Sequence, residues 1–200
     1  MAFMLGPSVL AQNAELDSKV KAFLESKEGQ WHDLNVPVSD GQLLYDIIIK
    51  NGYTQALEIG TSTGHSAIWI AWALSKTGGK LITIEIDEVR YKQALANFEK
   101  TGLSPYIDAR LADAHALVKE LTGPFDFVFS DADKGWYINY FKDVAPKLKI
   151  GGCFTAHNVR PASGRGSYGT GAYLEYVQKL NDYTTNVDNS GRGLAISYKK

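Results

Sequence analysis

The chain has 200 residues, of which 44% are hydrophobic and 22% charged, and its net charge is -1. That length favours one domain whose core stands without disulfides or a structural metal, and so balanced a charge leaves no electrostatic footprint for nucleic acid. The one cysteine, Cys153, excludes an internal disulfide and a cysteine-based zinc cluster, and no apolar run approaches the ~18–20 residues that cross a bilayer.

Residues 1–11 are apolar and end in Val9-Leu10-Ala11, similar to the tail of a secretion signal, but no positive stretch precedes them. They are read as an irregular arm on a cytoplasmic protein, with an export remnant as the alternative. Residues 13–26 carry Leu16, Val20, Phe23 and Leu24 at helical spacing. Ser39 or Asp40 is placed to cap a second helix that runs to about Lys50, with Leu43, Leu44, Ile47 and Ile48 inward and Asn51-Gly52 as its stop. From there strands and helices alternate. Short strands are expected at 55–59, 80–86, 106–111, 125–130 and 152–156, with helices at 65–75, 88–101, 114–121 and 136–148 between them. A glycine-rich loop covers 158–171 and a last helix 172–181. Two final strands, 183–187 and 194–198, are joined by Asp188-Asn189-Ser190-Gly191, a hairpin-type turn. Cys153, inside Gly152-Cys153-Phe154, reads as a small buried hydrophobe.

This alternation predicts an α/β fold: a mostly parallel seven-stranded sheet, helices on both faces, and a C-terminal antiparallel hairpin. Such sheets bind ligands beyond the carboxyl ends of their strands, near the switch in strand order. The residues just after each strand are therefore the candidates.

Gly60-Thr61-Ser62-Thr63-Gly64 follows the first strand and opens a helix. Gly60 lets the chain turn sharply and approach a ligand, and the free N–H groups of the next helix can meet polar ligand atoms. A dinucleotide fingerprint needs a second glycine where Ser62 stands. Glu85 ends the second strand, where a carboxylate can accept from a ribose diol, and Asp87 is placed to cap the next helix. Asp113, in Ala112-Asp113-Ala114-His115, can accept from an adenine amino group or cap the short helix after it.

The fourth strand delivers Asp131-Ala132-Asp133-Lys134 at its carboxyl end. A carboxylate there suits a hard divalent cation, and a lysine beside a cation can take up a proton near neutral pH. Asp131, His157 and Asn158 supply a carboxylate, an imidazole and an amide oxygen for such a cation. From spacing alone, His157 reads as a hydrogen-bonded strand-end histidine.

Taken in order, these segments resemble the metal-dependent catechol and caffeoyl-CoA O-methyltransferases over roughly residues 38–200. Asp40-Gly41-Gln42-Leu43-Leu44, Leu57-Glu58-Ile59-Gly60 through Gly64-His65-Ser66, Ile84-Glu85-Ile86-Asp87, Gly151-Gly152 and Gly193-Leu194-Ala195 carry the likeness. Asp131-Ala132-Asp133-Lys134 with Tyr137 is its most specific part. The resemblance implies a Rossmann-like class I methyltransferase domain over 1–200, with 1–37 as arm and helix and 38–200 as catalytic core. It implies methyl transfer from S-adenosylmethionine to a hydroxyl of a small aromatic substrate. Lys134 is then the base, Asp131 a metal ligand, Glu85 the ribose acid, Gly60 the residue beneath the methionine part and Ser66 a contact to its carboxylate. The cofactor-binding set becomes Glu58, Gly60, Ser66, Glu85, Asp113, Ala114 and Asp131.

One departure stands out. The family usually has Asp-Asn after the fifth strand, and this chain has His157-Asn158. The change moves metal preference from magnesium toward manganese, iron or zinc, or leaves a site without metal. Trp136, Tyr137 and Arg160 are substrate candidates, with Arg165 and Tyr168 in the loop beyond. The N-terminal helix is a candidate for a homodimer contact or a lid. A dinucleotide-dependent oxidoreductase and a cofactor-binding protein that has lost its metal site are the alternatives.

Overall fold

The computed structural model describes residues 7–31, 34–160 and 169–200. Two helices lead in: α1 (Pro7–Ser26) and α2 (Val38–Asn51). Strands and helices then alternate through β1 (Gln55–Ile59), α3 (His65–Thr77), β2 (Lys80–Glu85), α4 (Glu88–Thr101), β3 (Ile107–Leu111), α5 (Ala114–Glu120), β4 (Phe125–Ser130), α6 (Tyr137–Val144) and β5 (Leu148–His157). After α7 (Thr170–Gln178), β6 (Tyr183–Asp188) and β7 (Leu194–Lys199) form the closing hairpin.

The seven strands lie in the order β3-β2-β1-β4-β5-β7-β6. Neighbours are parallel from β3 through β5, while β7 runs antiparallel to both β5 and β6. Strand order reverses between β1 and β4, so a crevice opens where their carboxyl ends diverge. β4 is buried along its whole length, and its run Phe125-Asp126-Phe127-Val128-Phe129 is what a strand covered on both faces requires. On one face, α2 and the wholly buried stretch Ala67–Leu74 of α3 pack on Phe127 and Phe129. On the other, Tyr137, Tyr140 and Phe141 of α6 and Tyr173 of α7 pack on Val128 and Phe154. Cys153 lies in this interior with 0% exposure, and burial pushes its thiol up, out of reach of ionisation.

Helix ends follow local chemistry. Asp87 caps α4 by accepting from the Arg90 N–H at 2.9 Å, and Asp113 caps α5 through the His115 N–H at 2.9 Å.

Several boundaries differ from the sequence expectation. α1 begins at Pro7, so residues 7–11 are helical rather than an irregular arm; proline is at home in a first helical turn. α2 has no side-chain cap, because Asp40 is turned inward. The helix expected over 136–148 is a short helix between two 3-10 turns, the second carrying Pro146. β5 begins at Leu148, upstream of the expected 152. No described helix is long and apolar enough to cross a membrane.

Candidate active site

A cleft of about 260 Å³ opens at the switch between β1 and β4. Gly60, Ser62 and Glu85 line one wall, and Asp113, Ala114 and His115 another. Asp131, Ala132 and Asp133 close it from the β4 side. Five of the sequence-predicted residues, Gly60, Glu85, Asp113, Ala114 and Asp131, therefore share one space.

Gly60 has φ +100°, and a Cβ there would lie 3.0 Å from the Ala132 backbone nitrogen. Glycine here lets the β1 loop lie against the β4 loop and keeps the cleft floor open. Glu85, 7% exposed, is held by three backbone amides: Ser62 N–H at 2.7 Å, Ile86 N–H at 3.0 Å and Asp87 N–H at 2.9 Å. An ionised carboxylate offers about four acceptor positions, so one is left for a ligand hydroxyl.

Glu58 lies beneath the loop with 0% exposure. It accepts from Thr83 Oγ1 at 2.5 Å. Burial pushes its carboxyl up to about 8, the charges of Asp131 and Glu85 act in the same sense, and hydrogen bonds from Ser66 and Thr83 only partly offset them. Ser66 is buried in the first turn of α3, beside Glu58. Neither Glu58 nor Ser66 lines the cleft itself.

The neighbouring His65 is held as a neutral ring. Its Nδ1 lies 2.8 Å from the Val36 carbonyl and its Nε2 accepts from Trp69 Nε1–H at 3.1 Å. Burial lowers its imidazole to about 4. The ring thereby ties the segment before α2 to the start of α3.

At the β4 end, the Lys134 ammonium bonds the Asp131 carboxylate and, at 3.2 Å, its carbonyl. The second Asp131 oxygen lies 3.1 Å from His157 Nδ1. His157 Nε2 lies 2.8 Å from Asp40 Oδ2, which also accepts from the Arg192 N–H at 3.0 Å. Burial raises the Asp40 carboxyl, but bonds from His157 and Arg192 outweigh it and hold it below its ordinary value. Burial lowers the His157 imidazole, but Asp131 and Asp40 outweigh that and raise it.

The expected metal set is brought together only in part. Asp131 and His157 do meet, but both ring nitrogens face carboxylates and neither offers a lone pair outward. Asn158 takes a left-handed backbone turn at φ 56°, and its carbonyl accepts from Thr170 Oγ1 at 3.1 Å. Among the described residues, no three His, Cys, Asp or Glu side chains are arranged to hold a metal ion.

The substrate candidates also divide. Tyr137 is 1% exposed, and its hydroxyl donates to the His157 carbonyl at 3.0 Å, so it props β5 from the interior. Trp136 packs against His115, centroids 4.5 Å apart. Arg160 is exposed after β5. Arg165 and Tyr168 lie outside the described residues. His115 has no role in the sequence pattern, though its place close after β3 is the signal for one. Asp40 reads as a cap in the sequence, and no local pattern shows its partner.

The family model described as O-methyltransferase matches residues 11–163. The caffeoyl-CoA O-methyltransferase 1 of Arabidopsis thaliana is 34% identical over 128 residues, 61% of this chain and 49% of that protein. A catechol O-methyltransferase of Niastella koreensis is 40% identical over 107 residues, 52% of this chain and 48% of that protein. These matches thus span about half the length of either relative. An O-methyltransferase of Bacillus cereus solved with S-adenosylhomocysteine superposes with TM-score 0.77 at 23% identity, covering 92% of this chain and 91% of its own. The TomG O-methyltransferase of Streptomyces achromogenes, solved with S-adenosylmethionine, gives 0.76 at 23% identity, covering 99% and 92%. These structures share the fold.

Proposed function

Because the chain belongs to the O-methyltransferase family, we propose that it moves a methyl group from S-adenosylmethionine to a hydroxyl of a small aromatic, catechol-like molecule. The observation that carries this reading is one cleft with Gly60 and Glu85 on one side and Asp131, the carboxylate that holds Lys134, on the other. When bound, the cofactor supplies an electrophilic methyl on a sulfonium.

The residues of the cleft suit that cofactor. The Gly60 turn leaves room for it to lie against the β1 and β4 loops. Glu85 has its remaining acceptor position for a ribose hydroxyl, and the three amides keep it oriented. Asp113, Ala114 and His115, with Trp136 packed against His115, form the wall for the adenine. Glu58 and Ser66 underlie the first turn of α3, where a ligand's ammonium and carboxylate find opposite partners.

At the other end, Lys134 first gives one ammonium proton to solvent and then, as the amine, takes the proton of the substrate hydroxyl, while Asp131 fixes where it stands. Holding oxygen and methyl about 3 Å apart and in line is worth several kcal/mol of barrier. The metal expected from the resemblance has no place in these steps, since the donors do not fit one. Placement in the cytoplasm belongs to the same reading, because the methyl donor must be within reach. The family match sets aside the dinucleotide-dependent alternative.

Calorimetry with S-adenosylhomocysteine tests the cofactor half. The wild type is expected to bind it, and Glu85→Ala to bind at least about ten-fold more weakly, the worth of one charge-assisted hydrogen bond. Unchanged affinity in the variant overturns the ribose role, and no binding by the wild type overturns the proposal.

A further inference from the structure

Behind the cleft, Asp40 at the start of α2, His157 at the end of β5, and Asp131 and Lys134 after β4 form one continuous chain of contacts. The His157 ring is its centre, 2% exposed, with a carboxylate at each nitrogen. A ring nitrogen can bind a metal only through a free lone pair. Here each nitrogen shares a proton with a carboxylate oxygen instead. Asp131 is equally committed, one oxygen to Lys134 and the other to His157.

Charge leads to the same conclusion. The two hydrogen bonds of the ring contain two protons, whichever partner holds each. The ring and its two carboxylates then carry one negative charge in all, and the Lys134 ammonium cancels it. A dication entering this buried place finds no uncompensated negative charge, and expelling it back to water is favourable. The packing leaves little room as well: Gly191 approaches Asp40 so closely that a Cβ would collide with its carboxylate.

We propose that the His157 ring stands where a divalent cation would have to sit, bridging Asp40 to Asp131, and that methyl transfer by this chain needs no divalent metal. The proposal rests on the methyltransferase reading above. His157 is a positioning residue in it: it fixes Asp131, which fixes Lys134, and it does not touch the substrate. Arg192 and the β6–β7 turn are drawn into the same linkage through Asp40.

The test uses the full chain stripped with EDTA and titrated with Mn²⁺, the free ion being followed by electron paramagnetic resonance. The wild type is expected to leave the free-ion signal as in buffer, and its methylation of catechol to be unchanged by EDTA. His157→Asp, which replaces the ring with a carboxylate and leaves space, is expected to gain Mn²⁺ affinity at least about ten-fold, as added ligand charge does in oxygen-ligand sites. One Mn²⁺ bound per wild-type chain and abolished by Asp131→Asn overturns the proposal, as does His157→Asp binding no better than the wild type. The wild-type titration decides even if a variant fails to fold. Failure of the methyltransferase reading shows separately, as absence of S-adenosylhomocysteine binding.

Discussion

His157 and Asp40, 117 positions apart in sequence, meet at 2.8 Å between imidazole Nε2 and carboxylate Oδ2. Their side chains are 2% and 1% exposed, so the pair joins α2 to the end of β5 inside the protein.

That pair makes stability depend on pH at both ends. Asp40 is held below its ordinary 3.8, so its share is present above that value and is lost as pH falls through the depressed one. His157 is held above its ordinary 6.5, so its share is full below that value and is lost as pH rises through the raised one. Asp40→Asn is expected to cost about 3–5 kcal/mol, as breaking one side of a buried pair does. Melting temperatures measured across pH should fall less steeply at both ends in the variant. Parallel curves for the two proteins contradict the linkage.

Glu58 predicts a proton signal. With its carboxyl pushed up to about 8, it is mostly protonated at neutral pH in the free protein. A cationic ligand group beside it favours the ionised form, so binding S-adenosylhomocysteine at pH 7 should release up to about 0.9 proton. Calorimetry in buffers of different ionisation enthalpy measures this directly. Glu58→Gln should abolish the buffer dependence, and an equal dependence in both proteins removes Glu58 from the cofactor site.

Lys134→Met is expected to lower turnover about 10²-fold or more while leaving S-adenosylhomocysteine affinity nearly intact. The split between kcat and binding is the diagnostic. Turnover equal to the wild type excludes Lys134 as the base.

Much of the fold was legible because local chemistry set it. β1, α4 and β4 lie where the pattern put them, α4 being bounded by the Asp87 cap and the left-handed Gly102. Where distant contacts decide, local pattern failed. Asp40 looks like a cap in sequence, yet its carboxylate is claimed by His157 and Arg192. Tyr137 lies in the most specific stretch, but the turn before α6 points it into the core. The predicted residues that line the cleft could be read because each stands at or just after the carboxyl end of a strand. His157 could be read as a hydrogen-bonded strand-end histidine, but its two carboxylate partners could not, since they lie 117 and 26 positions away.

The most direct measurement supplies S-adenosylmethionine carrying an isotopically labelled methyl, a panel of catechols and the purified chain, with products followed by mass spectrometry. Labelled methyl ether and S-adenosylhomocysteine are expected to appear in equal amounts, and Lys134→Met to make little of either. A wild type that yields no labelled ether and takes up neither form of the cofactor contradicts the account.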